Sequence, residues 1–384
     1  MQLTEATVRG RLAGVEDPFL GGSILDLGLV ADVDVDPTTI HVTVALNAPY
    51  APDERRIGDR IRDALSTLDR TVRVYADPPT GAVQPPLPHV KNVVAVTSGP
   101  QRAGQTAVAV NLAAELANRG ARVGVLDADV EGPGVRSALD VTDAVDVDDD
   151  GALVPVERDG LKVASVTDVL GEDPPHVERT GLGERLLAGL VHDVEWQPLD
   201  YLFVVAPPVS DATDARFLAA APVTGAVVVT SAETSPAGDG LQCVDALAER
   251  GVPVLGIAEN TPALDCPGCR PGWGRRAPDR VDPTGVLCLG PVSVDPADGV
   301  VVENGDEVSA SVSALADAVT NEVGVLHRLT ACAVAAENTA TTSGCPPSYE
   351  WRDEFSQSGD DPTSRQSDGD STGEYIKRCK LVHS

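Results

Sequence analysis

Two short stretches of this sequence hold residue types that do chemistry at a useful spacing. The first runs from Val93 to Ala113, VVAVTSGPQRAGQTAVAVNLA: an apolar run, a loop bounded by Gly99 and Gly104, then a helical pattern. That is the outline of a phosphate-binding loop, where main-chain N–H groups and a helix N-terminus meet phosphate oxygens. The full pattern, G-x-x-x-x-G-K-[ST], adds a lysine for the outer phosphates and a Ser or Thr for Mg²⁺. Thr106 occupies the last place, but Gln105 stands where the lysine belongs. The second stretch is Cys266-Pro-Gly-Cys269. Two such thiolates are half of a four-thiolate set, and two copies of the chain would complete it around an iron–sulfur cluster or a structural zinc. A buried or redox-active pair is the third reading. Spacing alone does not choose among the three.

The elements that must position these residues follow from periodicity. Residues 1–78 form a small α+β unit: a helix over ATVRGRLAGV, two strands joined by a turn at Asp36-Pro37, a helix over DERRIGDRIRDALSTL with apolar residues at helical spacing, and a closing strand, TVRVYA. A proline-rich linker follows over 79–90. From 91 to 330, apolar strands (NVVAVTS, RVGVLDA, LKVASV, YLFVVAP, GAVVVTS, VPVLGIAEN) alternate with amphipathic helices, one ending at a C-cap glycine, Gly120. That alternation predicts an α/β fold: a mostly parallel sheet with helices on both faces. Residues 331–384 are polar and acidic, and a disordered tail is expected there.

Charge narrows the functional classes. In 384 residues there are 59 Asp and Glu against 29 Lys and Arg, a net charge of −30, with the acids spread along the whole chain. An acidic, lysine-poor surface suits very high salt, so a halophile's cytoplasmic protein is expected. There is no basic stripe for nucleic acid and no apolar run long enough for a membrane span. The N-terminus lacks the pattern of a signal peptide. The seven cysteines are an odd count at uneven spacing, unlike a secreted disulfide framework. Cys243 and Cys288 fall in core patterns, and the six histidines form no metal or catalytic set with their neighbours. The acid-rich stretch from Asp143 to Gly151 reads as a solvated loop.

Three further segments make a resemblance specific: VLDADVEGPGV (Val125–Val135), EWQPLDYLFVVAPPVSDATD (Glu195–Asp214) and GIAENTPALDCPGC (Gly256–Cys269). With the loop, they resemble the Mrp/ApbC family of deviant P-loop ATPases, relatives of MinD. DPFLGGSILDLGLVADVDVD, in the N-terminal unit, is similar to the iron–sulfur assembly domain often fused ahead of Mrp proteins. The resemblance covers roughly residues 5–328. It implies a homodimer that binds ATP, holds a [4Fe–4S] cluster between the Cys266 and Cys269 pairs of both copies, and delivers it to apo iron–sulfur client proteins. It implies that Gly99, Gly104 and Thr106 hold phosphate, with Arg102 and Gln105 in the same loop. It places Asp127 and Asp129 near Mg²⁺ and the attacking water, and Asn260 at the base. Zinc stays the alternative metal.

The departures from the family pattern are equally specific. Pro100 and Gln105 replace both loop lysines, Gln101 and Arg102 replace glycines, and Ala206 replaces the aspartate before Pro-Pro. Ala51 replaces the N-terminal unit's cysteine. Phosphoryl transfer depends on positioning and charge stabilisation, so hydrolysis is expected to be weakened or absent. Arg102 reads as a surface arginine that could stand in as a phosphate contact. The expected role is a cluster carrier or scaffold. The alternatives are a pseudo-ATPase that pairs with and regulates an active Mrp paralogue, and a MinD-like ATPase with unconventional phosphate contacts.

Overall fold

The computed structural model describes residues 3–338 except for 78–86, 88, 130–133, 144, 149–151, 171–189, 192, 213, 220, 232–235, 262–286, 295–298 and 301–306. The described residues fall into two compact units. One gathers 3–77 with 324–338, and the other gathers the residues between 87 and 323.

In the first unit, helix α1 (Glu5–Leu12) is capped by Thr4, whose side chain accepts from the Thr7 N–H. Strands β1 (Val30–Val35) and β2 (Thr39–Val44) pair antiparallel around the Asp36-Pro37 turn. Helix α2 (Pro52–Leu65) starts with proline in its first turn, where the missing N–H costs nothing. It leads to β3 (Thr71–Ala76), parallel to β2. The core lies between the helices and the sheet: Leu12, Ile24, Leu29, Ile40, Val42, Ile57 and Ile61 are all fully buried.

The second unit is built on one eight-stranded sheet. Its strands are β4 (Val90–Ser98), β5 (Val123–Asp127), β8 (Val156–Arg158), β9 (Leu161–Ser165), β10 (Leu199–Val205), β11 (Gly225–Ser231), β12 (Val254–Asn260) and β13 (Cys288–Val292). A two-residue ribbon, β6 (Asp146–Val147) with β7 (Leu153–Val154), stands apart. The sheet order is β13-β12-β11-β4-β10-β5-β9-β8. Every neighbouring pair is parallel except β8 with β9. β10 and β11 are buried along nearly their whole length, as strands covered on both faces must be. Helix α3 (Gln105–Asn118) follows β4 and is buried from Gln105 to Leu116, and Gly120 closes it with φ 98°. Helix α4 (Pro236–Glu249) connects β11 to β12.

The short strands β6, β7 and β8 were not foreseen, and two larger features also depart from the sequence reading. Helix α5 spans Glu307–Asn338 and so runs past residue 330, where a tail was expected to begin. Its last turns bury Ala331 and Cys332 in the first unit's core, with Val334 partly buried against it, and side chains as small as Ala331 and Cys332 leave a weak apolar signal in the sequence. β13 was also missed, because CLGPV carries a glycine and a proline inside a short apolar run. The remainder of the expected tail and most of the expected linker lie outside the described residues.

Candidate functional site

The strand order reverses at β4: β5 lies on one side of it, beyond β10, and β11 lies on the other. In a doubly wound sheet, the crevice at the carboxyl ends of the strands flanking such a reversal is where ligands bind. The loop Gly99–Gly104 leaves β4 at that point and enters α3. Gly104 is the N-cap in the left-handed region, φ 86°, and α3 has no side-chain cap. The helix therefore begins with main-chain N–H groups that no side chain of the cap residue satisfies, and these suit an anion. Gly104 is held to glycine by its φ and by contact, while Gly99 sits in a tight fit. A Cβ on Gly104 would lie 2.6 Å from Asn260 Nδ2, and one on Gly99 would lie 3.1 Å from Asp239 Cβ.

Asn260 closes β12 and ties three segments together. Its Nδ2 donates to Ala103 O (3.0 Å) and Val294 O (3.1 Å), and its Oδ1 accepts from Val294 N–H (3.1 Å). It is 2% exposed. Its side-chain amide is thus committed to shaping the loop, whereas the sequence resemblance had assigned it to the nucleotide base.

The carboxylates come from the end of β5. Asp127 accepts from the N–H groups of Asp129 (3.2 Å) and Val135 (2.7 Å). Burial pushes its carboxyl up to about 7, more than these hydrogen bonds pull it down, and the charges of Asp129 and Asp168 add to the rise. Asp129 meets the loop directly. Arg102 Nη1 donates to its Oδ2 at 2.7 Å and Nη2 to its Oδ1 at 3.3 Å, a two-pronged pair. Gln105 Nε2 donates to the same Oδ2 at 3.3 Å, while Gln105 Oε1 accepts from the Ser98 hydroxyl at 3.2 Å. Arg102 adopts φ 49°, an uncommon conformation for a residue with a side chain.

Gly99, Arg102, Gly104, Gln105, Thr106, Asp127, Asp129 and Asn260 therefore converge on one place. Arg102 lies between the loop and the acidic pair with its guanidinium on Asp129, so it is not a free surface arginine. Ser98 was missed by the sequence reading, although it directly precedes the loop's first glycine. Main-chain phosphate contacts fit these residues. A Mg²⁺ ion on Asp129 does not fit without displacing Arg102, whose charge already compensates that carboxylate. Ala206, where a carboxylate was expected, is fully buried and donates its N–H to Val96 O. Cys266 and Cys269 lie outside the described residues, and among the described residues no cluster of His, Cys, Asp and Glu could hold a metal. No described helix is long and apolar enough to cross a membrane.

A strand, a glycine-bounded loop and a capless helix at the reversal of a parallel sheet define the P-loop NTPase class of construction. The chain belongs to the family described as NUBPL iron-transfer P-loop NTPase, whose ParA model matches residues 89–322. Residues 5–76 match the iron–sulfur cluster assembly protein model. The iron–sulfur cluster carrier protein of Deinococcus radiodurans is 34% identical over 262 residues, covering 67% of this chain and 75% of that protein. The protein of the same name from Escherichia coli K12 is 35% identical over 272 residues, covering 69% and 74%. Among solved structures, a nucleotide-binding protein from Archaeoglobus fulgidus in complex with ADP is 25% identical, with a TM-score of 0.43 over 61% of this chain and 88% of that one. The cell division ATPase MinD of Pyrococcus furiosus is 20% identical, with a TM-score of 0.43 over 59% and 98%.

Proposed function

We propose that this protein carries iron–sulfur clusters to apo client proteins. The cluster, of the [4Fe–4S] type, is cargo held between two copies of the chain by Cys266 and Cys269 of each. The observation that supports this reading most is the intact Cys-Pro-Gly-Cys in a chain one-third identical to iron–sulfur cluster carrier proteins. Zinc at the same thiolates is the alternative cargo, and pairing with an active paralogue is the alternative assembly.

ATP binding is a second part of the reading. The helix N-terminus and the loop's main chain hold the phosphates, and hydrolysis is slow. Bound Mg²⁺ would supply charge neutralisation at the outer phosphates, and Asp127 is the carboxylate left for it. Arg102 and Gln105 keep Asp129 compensated and the loop closed on itself. Binding a polyphosphate thus competes with an internal ion pair.

Anaerobic reconstitution with iron and sulfide tests the cargo. The parent should bind about four irons per dimer with matching sulfide, as a shared four-thiolate cluster requires. The Cys266→Ala, Cys269→Ala double variant should bind none. Undiminished iron in the double variant would remove the proposal, and stoichiometric zinc in the parent would favour the alternative metal.

A further inference from the structure

The segment Gly324–Asn338 lies beyond both family matches, which end at residues 76 and 322. It nevertheless completes the first unit. Ala331 and Cys332 are buried in that unit's core, with Val334 packed beside them. A Cβ on Gly28 would come 2.3 Å from the Ala335 side chain, so the helix approaches the unit's backbone as closely as glycine allows. At the centre is Arg328, fully buried, with Nε 2.8 Å from Asp17 Oδ2 and Nη1 3.8 Å from Glu54 Oε1. Its guanidinium nitrogens make no aligned hydrogen bond, so proximity to the two carboxylates holds it. Gly324 leaves room for that guanidinium, since a Cβ there would sit 2.9 Å from Nη1.

The same two carboxylates shape two loops. Asp17 Oδ1 accepts from the N–H groups of Phe19 (2.8 Å) and Leu20 (2.7 Å). Glu54 accepts from the N–H groups of Asn47 and Ala48, each at 3.1 Å. His327 Nε2 meets Asn47 Nδ2 at 3.4 Å. The loop so held carries Tyr50 at φ 69° and leads into Ala51, the position where the family's cysteine is absent.

We infer that the face of the first unit floored by Asp17, Glu54 and Gly28 is a docking surface for a helix that presents an arginine among small residues. Its occupant in this chain is the chain's own segment 324–338. The segment acts as a strap: seated, it compensates two buried carboxylates and fixes the loops at 17–20 and 47–51, and released, it frees both. Buried carboxylates left without their cation are costly, so the arginine is what makes the strap specific. The inference is independent of the cargo at Cys266 and Cys269.

The test uses the full-length chain. In Arg328→Glu, amide exchange at Phe19, Leu20, Asn47 and Ala48 should rise by at least about tenfold, as it does when a local unit opens. Amides of β4, β5 and β10 should not change, which shows that the variant is folded. Arg328→Lys, which keeps the charge but loses the fork, should fall between parent and Arg328→Glu. A labelled synthetic peptide of residues 324–338 should bind the Arg328→Glu chain and not the parent, whose surface is filled. Unchanged exchange at the four amides in Arg328→Glu would overturn the inference. So would raised exchange without peptide binding, since the segment would then be a fixed part of the fold and not an occupant of a docking surface.

Discussion

Arg102 and Arg328 answer the same difficulty in opposite settings. Asp129 is buried at the mouth of a loop, and Arg102 reaches it from partly solvated ground, with 33% of its side chain exposed. Asp17 is buried outright, and the arginine that compensates it is equally buried. His327, beside Arg328, shows what that interior does to a titratable group. Burial, with the neighbouring Arg328 charge, lowers its pKa to about 4. The unfolded chain protonates this imidazole below about 6.5 and the folded chain does not, so stability falls as pH drops from about 6.5 to 4. The loss should be on the order of 3 kcal/mol across that window. Urea titrations of His327→Gln against the parent at pH 7.5 and pH 4.5 measure it: the parent should lose more stability than the variant. Equal losses would show that His327 titrates normally.

The proposed nucleotide chemistry rests on the loop between β4 and α3. Its shape rests on Gly104 in the left-handed region and on Asn260 bridging Ala103 and Val294. Gly104→Ala should cost about 1–3 kcal/mol, because it imposes strain at that φ and drives a methyl into Asn260. Asn260→Ala should cost a similar amount through the lost hydrogen bonds. The double variant should cost less than the sum, since both changes break one clamp, and denaturant midpoints of all four proteins measure that coupling. Strict additivity would mean that the two residues act apart. Charge is a separate matter. Pro100→Lys with Gln105→Lys and Ala206→Asp restores the charges that the family pattern carries, and it should raise ATP turnover above a very low parent rate. A parent that already turns over ATP at an intact relative's rate would contradict the reading of the missing lysines.

The same loop shows how much of the site was legible in the sequence. Continuous apolar runs identified six of the sheet's strands, because fully buried parallel strands need them. The glycine spacing pointed to the loop, and the resemblance to the Mrp/ApbC family pointed to Asp127 and Asp129 at the end of β5. What escaped was contact between distant segments: Arg102 on Asp129, Asn260 on Ala103, and Arg328 on Asp17. Each joins groups far apart in the chain, and no local periodicity records such a contact. The end of α5 escaped for another reason. Ala331, Cys332 and Ala335 pack by being small, and patterns based on hydrophobicity are read from large residues.

At the scale of the whole molecule, the net charge of −30 dominates. At 0.01 M salt the Debye length is about 30 Å, so carboxylates across a domain repel one another; near 1 M it is about 3 Å and they do not. The melting temperature should therefore rise steeply between dilute buffer and molar KCl. A melting temperature that is flat across that range would remove the halophilic reading of the surface.

The first unit takes its final turns from residues that follow the second unit in the chain. Asp17, Glu54 and Leu12 leave the ribosome long before Arg328, Ala331 and Cys332, and the intervening chain folds into the second unit's sheet. Closing a loop of that length costs little more in entropy than closing one half as long, but it cannot happen before its far end exists. During translation the N-terminal unit thus waits with two uncompensated carboxylates and an incomplete core, a state open to proteases and to non-native association. In a chain of this kind the middle can fold first, and the domain that begins the sequence is completed only after it.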